Sequence, residues 1–148
     1  GWERVLSVNL TAAYHLSRAA IPALAESKGS LVLIGSQLGL VGTQRNIAYT
    51  ASKGGLVNLA RSLSLDHAAD GVRVNCLCPG PTETTFLQAS FDRADDADRA
   101  RAATLAKVPL GRFAHPSEVA SCAAFLSSDH ASFVTGTTLV VDGGYLAQ

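Results

Sequence analysis

Apolar and polar positions fall along this chain in two kinds of block. From Trp2 to about Glu26 apolar residues recur at helical spacing, with Val5, Val8, Ala12, Leu16 and Ala19 on one stripe. The pattern predicts a helix facing a core along that stripe, bent or ended locally at Pro22 and closed by Lys28-Gly29. Ser30-Leu31-Val32-Leu33-Ile34-Gly35 is instead a short, continuously apolar run, as expected of a strand buried on both faces. Leu38 to Asn46 is a glycine-bearing loop. A second long helix is predicted from about Ile47 to Ala69, with Leu56, Leu59, Ala60 and Leu63 buried and Asp70-Gly71 at its end. Val72 to Leu77 is the next strand, stopped by Pro79-Gly80-Pro81. Residues 82–112 are polar and charged, with Asp92, Arg93, Asp95, Asp96, Asp98 and Arg99 clustered, which predicts a mobile helical flap. Pro116-Ser117-Glu118 opens another helix with proline in an early turn, and Thr138-Leu139-Val140-Val141 is the last strand, followed by Asp142-Gly143-Gly144.

Strands alternating with helices imply an α/β domain with parallel pairing and right-handed crossovers. Ser36 and Pro79-Gly80 then fall at the carboxyl ends of neighbouring strands, the edge at which open α/β sheets bind ligands. Composition narrows this only a little. The 148 residues suffice for one domain with a real core, and 47% hydrophobic with 16% charged excludes disorder. A formal net charge of +0 without charge runs argues against nucleic acid or acidic membrane surfaces as partners. No apolar stretch reaches spanning length and no signal peptide opens the chain, so a soluble cytoplasmic protein is expected. Cys76, Cys78 and Cys122 are expected to be reduced core thiols. The four histidines lack ligand spacing, so no metal is assigned. The chain has no methionine and starts at Gly1-Trp2 directly on a helical pattern, from which a part of a longer chain is expected.

The chemistry concentrates in one stretch. Tyr49 and Lys53 stand four apart, one turn along a helix face, with Ser36 at a strand end thirteen positions upstream. A phenol near pKa ~10 is a poor proton donor or acceptor at neutral pH. A fixed cation one turn away favours phenolate, and a lowering of about three units takes roughly 4 kcal/mol of differential interaction. Tyr/Lys pairs at this spacing are common on solvated helix faces. Here, however, Gly54-Gly55 and the small residues Ala48, Ala51 and Ser52 let another element or a ligand approach the backbone.

Together, Gly35-Ser36-Gln37-Leu38-Gly39 and Ile47-Ala48-Tyr49-Thr50-Ala51-Ser52-Lys53 resemble the active-site segment of the short-chain dehydrogenase/reductase family, with its Ser and Tyr-x-x-x-Lys signature. Val8-Asn9 looks like that family's catalytic asparagine, and Pro79-Gly80 followed by Thr84 like its nicotinamide-side segment. Pro109-Leu110-Gly111-Arg112, Pro116-Ser117-Glu118-Val119 and the run from Thr135-Gly136 to Asp142-Gly143-Gly144 are similar to its closing region.

The resemblance covers essentially the whole chain. It implies the C-terminal part of a Rossmann-like, doubly wound parallel sheet, with a substrate loop at about 82–112. It implies hydride transfer between NAD or NADP and a secondary alcohol or ketone, a 3-oxoacyl-type carbonyl being one example. Under it, Tyr49 is the acid/base, and Lys53 lowers its pKa and binds the nicotinamide ribose. Ser36 bonds the reacting oxygen, and Asn9 holds a water in a relay to Lys53. Pro79, Gly80, Thr82 and Thr84 join Tyr49 and Lys53 at the cofactor, Thr82 standing where the family usually has a branched apolar residue. Gln37, Leu38, Gln44 and Phe86 are candidates to line the substrate pocket. The glycine-rich pyrophosphate turn and the residue that selects between NAD and NADP are not in this sequence. The resemblance further implies homotetramers or dimers built on the first helix and the Tyr49 helix. Two alternatives stand beside the enzyme: a non-catalytic binding or scaffold protein of the same fold, and an inactive truncated fragment.

Overall fold

The computed structural model describes residues Gly1–Gln148. Three strands, β1 (Ser30–Ile34), β2 (Arg73–Pro79) and β3 (Thr138–Val141), form one parallel sheet in the order β1-β2-β3. Ser30 lies opposite Arg73 and Ile34 opposite Leu77, while Cys76 faces Thr138 and Pro79 faces Val141. Parallel neighbours need long crossovers. The first is α3 (Ile47–His67); the second holds α4 (Thr85–Phe91), α5 (Ala97–Leu105) and α6 (Pro116–Ser127). This is the α/β architecture expected from the alternation of patterns. No helix is long and apolar enough to cross a membrane.

The core is built around β2. Val74, Cys76 and Cys78 alternate onto one face and pack with Ile21, Leu33, Leu56, Val57 and Ala60 in a single cluster. The residues between them, Asn75 and Leu77, belong to the opposite face, which α6 covers. Asn75 is fully buried with both amide atoms paired: Nδ2 donates to the Val134 carbonyl at 2.9 Å and Oδ1 accepts from the Thr137 N–H at 3.1 Å. The Arg73 guanidinium gathers the carbonyls of Leu126, Ser128 and Val134 at 2.8–3.3 Å, fastening the end of α6 to the start of β2. A buried polar group placed this way holds the loop before β3 in register.

Three sequence expectations need correction. The first helix does not end at Pro22, which lies inside it. It runs as α1 (Trp2–Leu6), a π turn (Ser7–Thr11) and α2 (Ala12–Ser27), and ends at Lys28 in the left-handed region with φ 52°. The stripe facing the core is also different. Val8 and Leu16 are 65% and 72% exposed, while Leu10, Ala13, Ser17, Ile21 and Leu24 turn inward. The helix is apolar on more than one side, and the π turn inserts an extra residue, so a stripe drawn at regular α spacing runs out of phase across it. Finally, β1 is not covered on both faces. It pairs only with β2, and although Leu33 is buried, Ile34 is 48% exposed.

Residues 82–112 hold two short helices, each started by a side-chain cap. Thr84 Oγ1 accepts the Leu87 N–H at 3.2 Å, and Asp96 Oδ1 accepts the Arg99 N–H at 2.9 Å. The segment is fastened back by a Phe91–Phe113 ring stack, 6.0 Å between centroids, and by backbone pairing of Thr82 with Ala114. Pro116 starts α6 as expected. Glu118 closes a capping box there, accepting the His115 N–H at 2.8 Å and both Arg112 guanidinium nitrogens at 2.7 Å.

Candidate active site

Ser36 comes directly off the end of β1, and its extended backbone starts a 3-10 turn at Gln37–Gly39. Its Oγ accepts the Leu38 N–H at 3.1 Å. The hydroxyl is thereby oriented as an acceptor toward its own turn, and its O–H remains available to donate outward. The turn lies against α3 at van der Waals contact. A Cβ on Gly39 would come within 2.7 Å of the Lys53 carbonyl carbon, and one on Gly54 within 3.2 Å of the Gly39 oxygen. Glycine at both positions lets the strand end meet the helix backbone. Gly55 does the same for the Leu10 side chain.

That contact sets Lys53. Its Nζ donates to the carbonyl of Ile34, the last residue of β1, at 2.8 Å, and lies 5.7 Å from the centre of the Tyr49 ring. The cation is thus held between the strand end and the face of the phenol. Burial holds the Lys53 pKa below the ordinary lysine value, against the opposing pull of the thiols of Cys76 and Cys78. Those thiols are free and buried, as expected of core groups, but they lie under the site. Their sulfurs are 3.8 Å apart, and both are within 2.8 Å of where a Gly35 Cβ would stand. Their shared hydrogen bond pushes the Cys76 pKa up and brings the Cys78 pKa down, the latter helped by the Ser36 N–H and the Lys53 charge.

Asn9 sits in the π turn and bonds directly to Ser52, the neighbour of Lys53 on α3. Its Nδ2 donates to Ser52 Oγ at 3.1 Å, and Ser52 Oγ donates to the Tyr49 carbonyl at 2.7 Å. Ser52 is completely buried. Sequence reading treats it only as a small residue, although its place three positions after Tyr49 and one before Lys53 is a usable signal. It joins the first helix to the turn of α3 that carries both reactive side chains.

Pro79 ends β2, and the Gly80 N–H continues the ladder to the Val141 carbonyl at 2.9 Å. Thr82 Oγ1 donates to the Gly80 carbonyl at 3.0 Å, and Thr84 is occupied as the α4 cap, so both hydroxyls shape this loop. Phe86, on α4, is 66% exposed but lies over Tyr49, with ring centroids 6.2 Å apart and planes at 27°. Gln37 is only 4% exposed, and its amide oxygen would lie 2.8 Å from a Cβ on Gly80. Leu38 is half-buried beside the Ser36 turn. The fold therefore gathers Ser36, Gln37, Tyr49, Lys53, Gly80 and Phe86 around one sheet edge and brings Asn9 to it through Ser52. Gln44 stays exposed on the loop before α3, and only its backbone carbonyl is hydrogen-bonded, to the Asn46 amide.

A profile of the family described as enoyl-(acyl carrier protein) reductase matches residues 1–146. The chain belongs to the short-chain dehydrogenase/reductase family. Among curated members it is 42% identical to 2-(S)-hydroxypropyl-CoM dehydrogenase 3 of Xanthobacter autotrophicus, covering 99% of this chain and 58% of that one. It is 40% identical to the protein of the same organism called inactive 2-(S)-hydroxypropyl-CoM dehydrogenase 2, covering 99% of this chain and 64% of that protein. Among solved structures, one from Agrobacterium tumefaciens described as a 2-deoxy-D-gluconate 3-dehydrogenase with bound NADP superposes with a TM-score of 0.91 at 38% identity, covering 99% of this chain and 59% of that one. The chain thus spans somewhat over half the length of the relatives it matches.

Proposed function

We propose that this chain supplies the proton-transfer site of an oxidoreductase acting between NAD(P)(H) and a secondary alcohol or ketone. The observation that carries the reading is the placement of Lys53. Its ammonium is anchored on the Ile34 carbonyl and lies 5.7 Å from the Tyr49 ring, so one cation faces one phenol at the ligand-binding edge of the sheet. Relatives named as dehydrogenases, and an NADP-bound structural neighbour, support the same reading.

The donor set fits the nicotinamide end of such a cofactor. Lys53, Tyr49 and the backbone at Gly80 would hold the ribose and ring, and the bound nicotinamide supplies the hydride that no side chain can furnish. The remaining work belongs to this chain. Ser36 donates its free O–H to the reacting oxygen and steadies the negative charge that develops there. Tyr49 gives that oxygen its proton in reduction and removes it in oxidation. The Lys53 ammonium, 5.7 Å from that ring, sets a positive charge beside the proton transfer. Asn9, through Ser52, keeps the Tyr49 turn in place.

Tyr49→Phe in the full-length protein tests this directly, because the variant keeps the ring and its stack on Phe86. With a panel of ketones and alcohols and both cofactors, turnover is expected to fall by about 10²–10⁴-fold while the thermal transition is unchanged. Undiminished turnover in that variant would remove the mechanism. A second reading, a non-catalytic member of the family, is favoured by the similarity to a relative called inactive. It predicts cofactor binding without turnover in the same panel.

A further inference from the structure

We propose that Cys78, hydrogen-bonded by Cys76, is a positioning residue for Lys53: as a thiolate it supplies the buried counter-charge that keeps the ammonium at the end of β1. The inference rests on the functional reading above and deepens it. Lys53 is half-buried, and its Nζ is held by one neutral group, the Ile34 carbonyl at 2.8 Å. The ion pairs of the chain lie elsewhere, at His67–Asp70, Arg101–Glu83 and Arg112–Glu118. A cation drawn out of water needs an opposite charge or a full set of acceptors. The groups placed to answer it are thiols. Cys76 and Cys78 are wholly buried on the face of β2 that α3 covers, and α3 is the helix from which Lys53 reaches the strand end. Their sulfurs stand 3.8 Å apart, and both would lie 2.8 Å from a Cβ on Gly35, the residue after Ile34. Ammonium and thiols thus converge on one peptide, Ile34–Gly35. Of two thiols sharing a hydrogen bond, one donates and the other accepts. The Ser36 N–H and the cations of Lys53 and Arg61, both on α3, favour ionisation of Cys78 and leave Cys76 as the donor. The other elements packed there bring only uncharged side chains: Ile21 from α2, Leu33 from β1, and Thr138 of β3 opposite Cys76. The effect is mutual, since the thiols pull the Lys53 pKa upward against its burial.

The test uses the full-length protein under reducing conditions. Ionisation of Lys53 is followed by NMR of its side-chain Cε, assigned with Lys53→Arg, in wild type, Cys78→Ser and Cys78→Ala. Neither replacement ionises, so burial acts unopposed and the Lys53 midpoint is expected to fall by about one pH unit or more in both. Ultraviolet thiolate absorbance is expected to show one group in the wild type ionising below the ordinary thiol value of about 8.5, and to lose it in Cys78→Ser. An unmoved Lys53 midpoint, or no thiolate below that value, overturns the proposal. Ketone reduction separates charge from packing. Cys78→Ser is expected to lose roughly tenfold more turnover at about pH 9 than at about pH 6.5, because only the charge of Lys53 depends on pH in this way. An equal loss at both pH values makes the thiol a packing group and overturns the proposal. If no ketone turns over in the wild type, the functional reading fails by itself, and the two titrations still decide this inference. Should both Cys78 variants lose their cooperative thermal transition, Cys76→Ala removes the donor instead: a raised thiolate midpoint supports the proposal, and an unchanged one sinks it.

Discussion

The two sides of the site are held by different means. On the Tyr49 side, the Gln37–Gly39 turn and α3 meet backbone to backbone: a methyl on Gly39 would collide with Lys53, one on Gly54 would crowd the Gly39 carbonyl, and one on Gly35 would strike the thiols of Cys76 and Cys78. On the facing side, residues 82–112 are kept by side-chain caps, one ring stack and backbone pairing at their two ends, with Phe86 exposed above the phenol. Interlocked backbones tolerate no change in volume, whereas a capped surface helix can exchange most of its residues. The residues proposed for proton transfer, Ser36, Tyr49 and Lys53, sit on the first kind of structure, and of the proposed substrate-facing side chains only Phe86 sits on the second.

That contrast can be broken at graded positions. The largest effect is expected at Gly39→Val, which forces side-chain atoms into the Lys53 carbonyl. A loss of about 1–3 kcal/mol or failure to fold is expected by urea denaturation, and a wild-type midpoint would show that the turn and helix are not interlocked. Ser52→Ala removes the join between Asn9 and the Tyr49 carbonyl. A loss of about 1 kcal/mol is expected, with kcat falling more than substrate KM rises, because the defect lies behind the reactive face. Thr84→Ala deletes a cap on the exposed side and should cost no more than about 1 kcal/mol, with kcat retained and substrate KM raised. A fall in kcat from Thr84→Ala larger than that from Ser52→Ala would invert the comparison. The smallest effect is a pH dependence at α6. The paired guanidinium of Arg112 brings the exposed Glu118 pKa down to about 2. A depressed acid contributes stability above the ordinary carboxylate range and loses it as pH falls toward about 2. Glu118→Gln should therefore flatten the acid limb of the melting curve between about pH 4 and 2, and leave neutral pH almost unchanged.

Much of the fold is legible in the chain because local pattern and tertiary demand agree. The run read as Ser30 to Gly35 is β1 to within one residue, and Pro116 opens α6, since a continuous apolar run and an N-terminal proline each have few alternatives. Ser36, Tyr49 and Lys53 are readable because helical spacing and a strand end fix their directions. The inward face of the first helix is not, because both of its sides are apolar and a π turn carries no sequence mark that spacing can detect. Nor is the Lys53 bond to the Ile34 carbonyl, which depends on how closely two glycines let the helix approach. The thiols of Cys76 and Cys78 look like filler because a two-residue spacing reveals the shared face of a strand but not the groups opposite.

In the first helix, the surplus residue of the π turn works as a fixed phase offset, rotating the preceding segment by roughly 100° relative to the succeeding one. Excising Val8 would let Trp2–Thr11 wind regularly, an apparent improvement by helix propensity alone. It would also swing the amide of Asn9 away from Ser52 and unhook the first helix from the turn that aims the phenol, so the irregular winding is what sets the alignment.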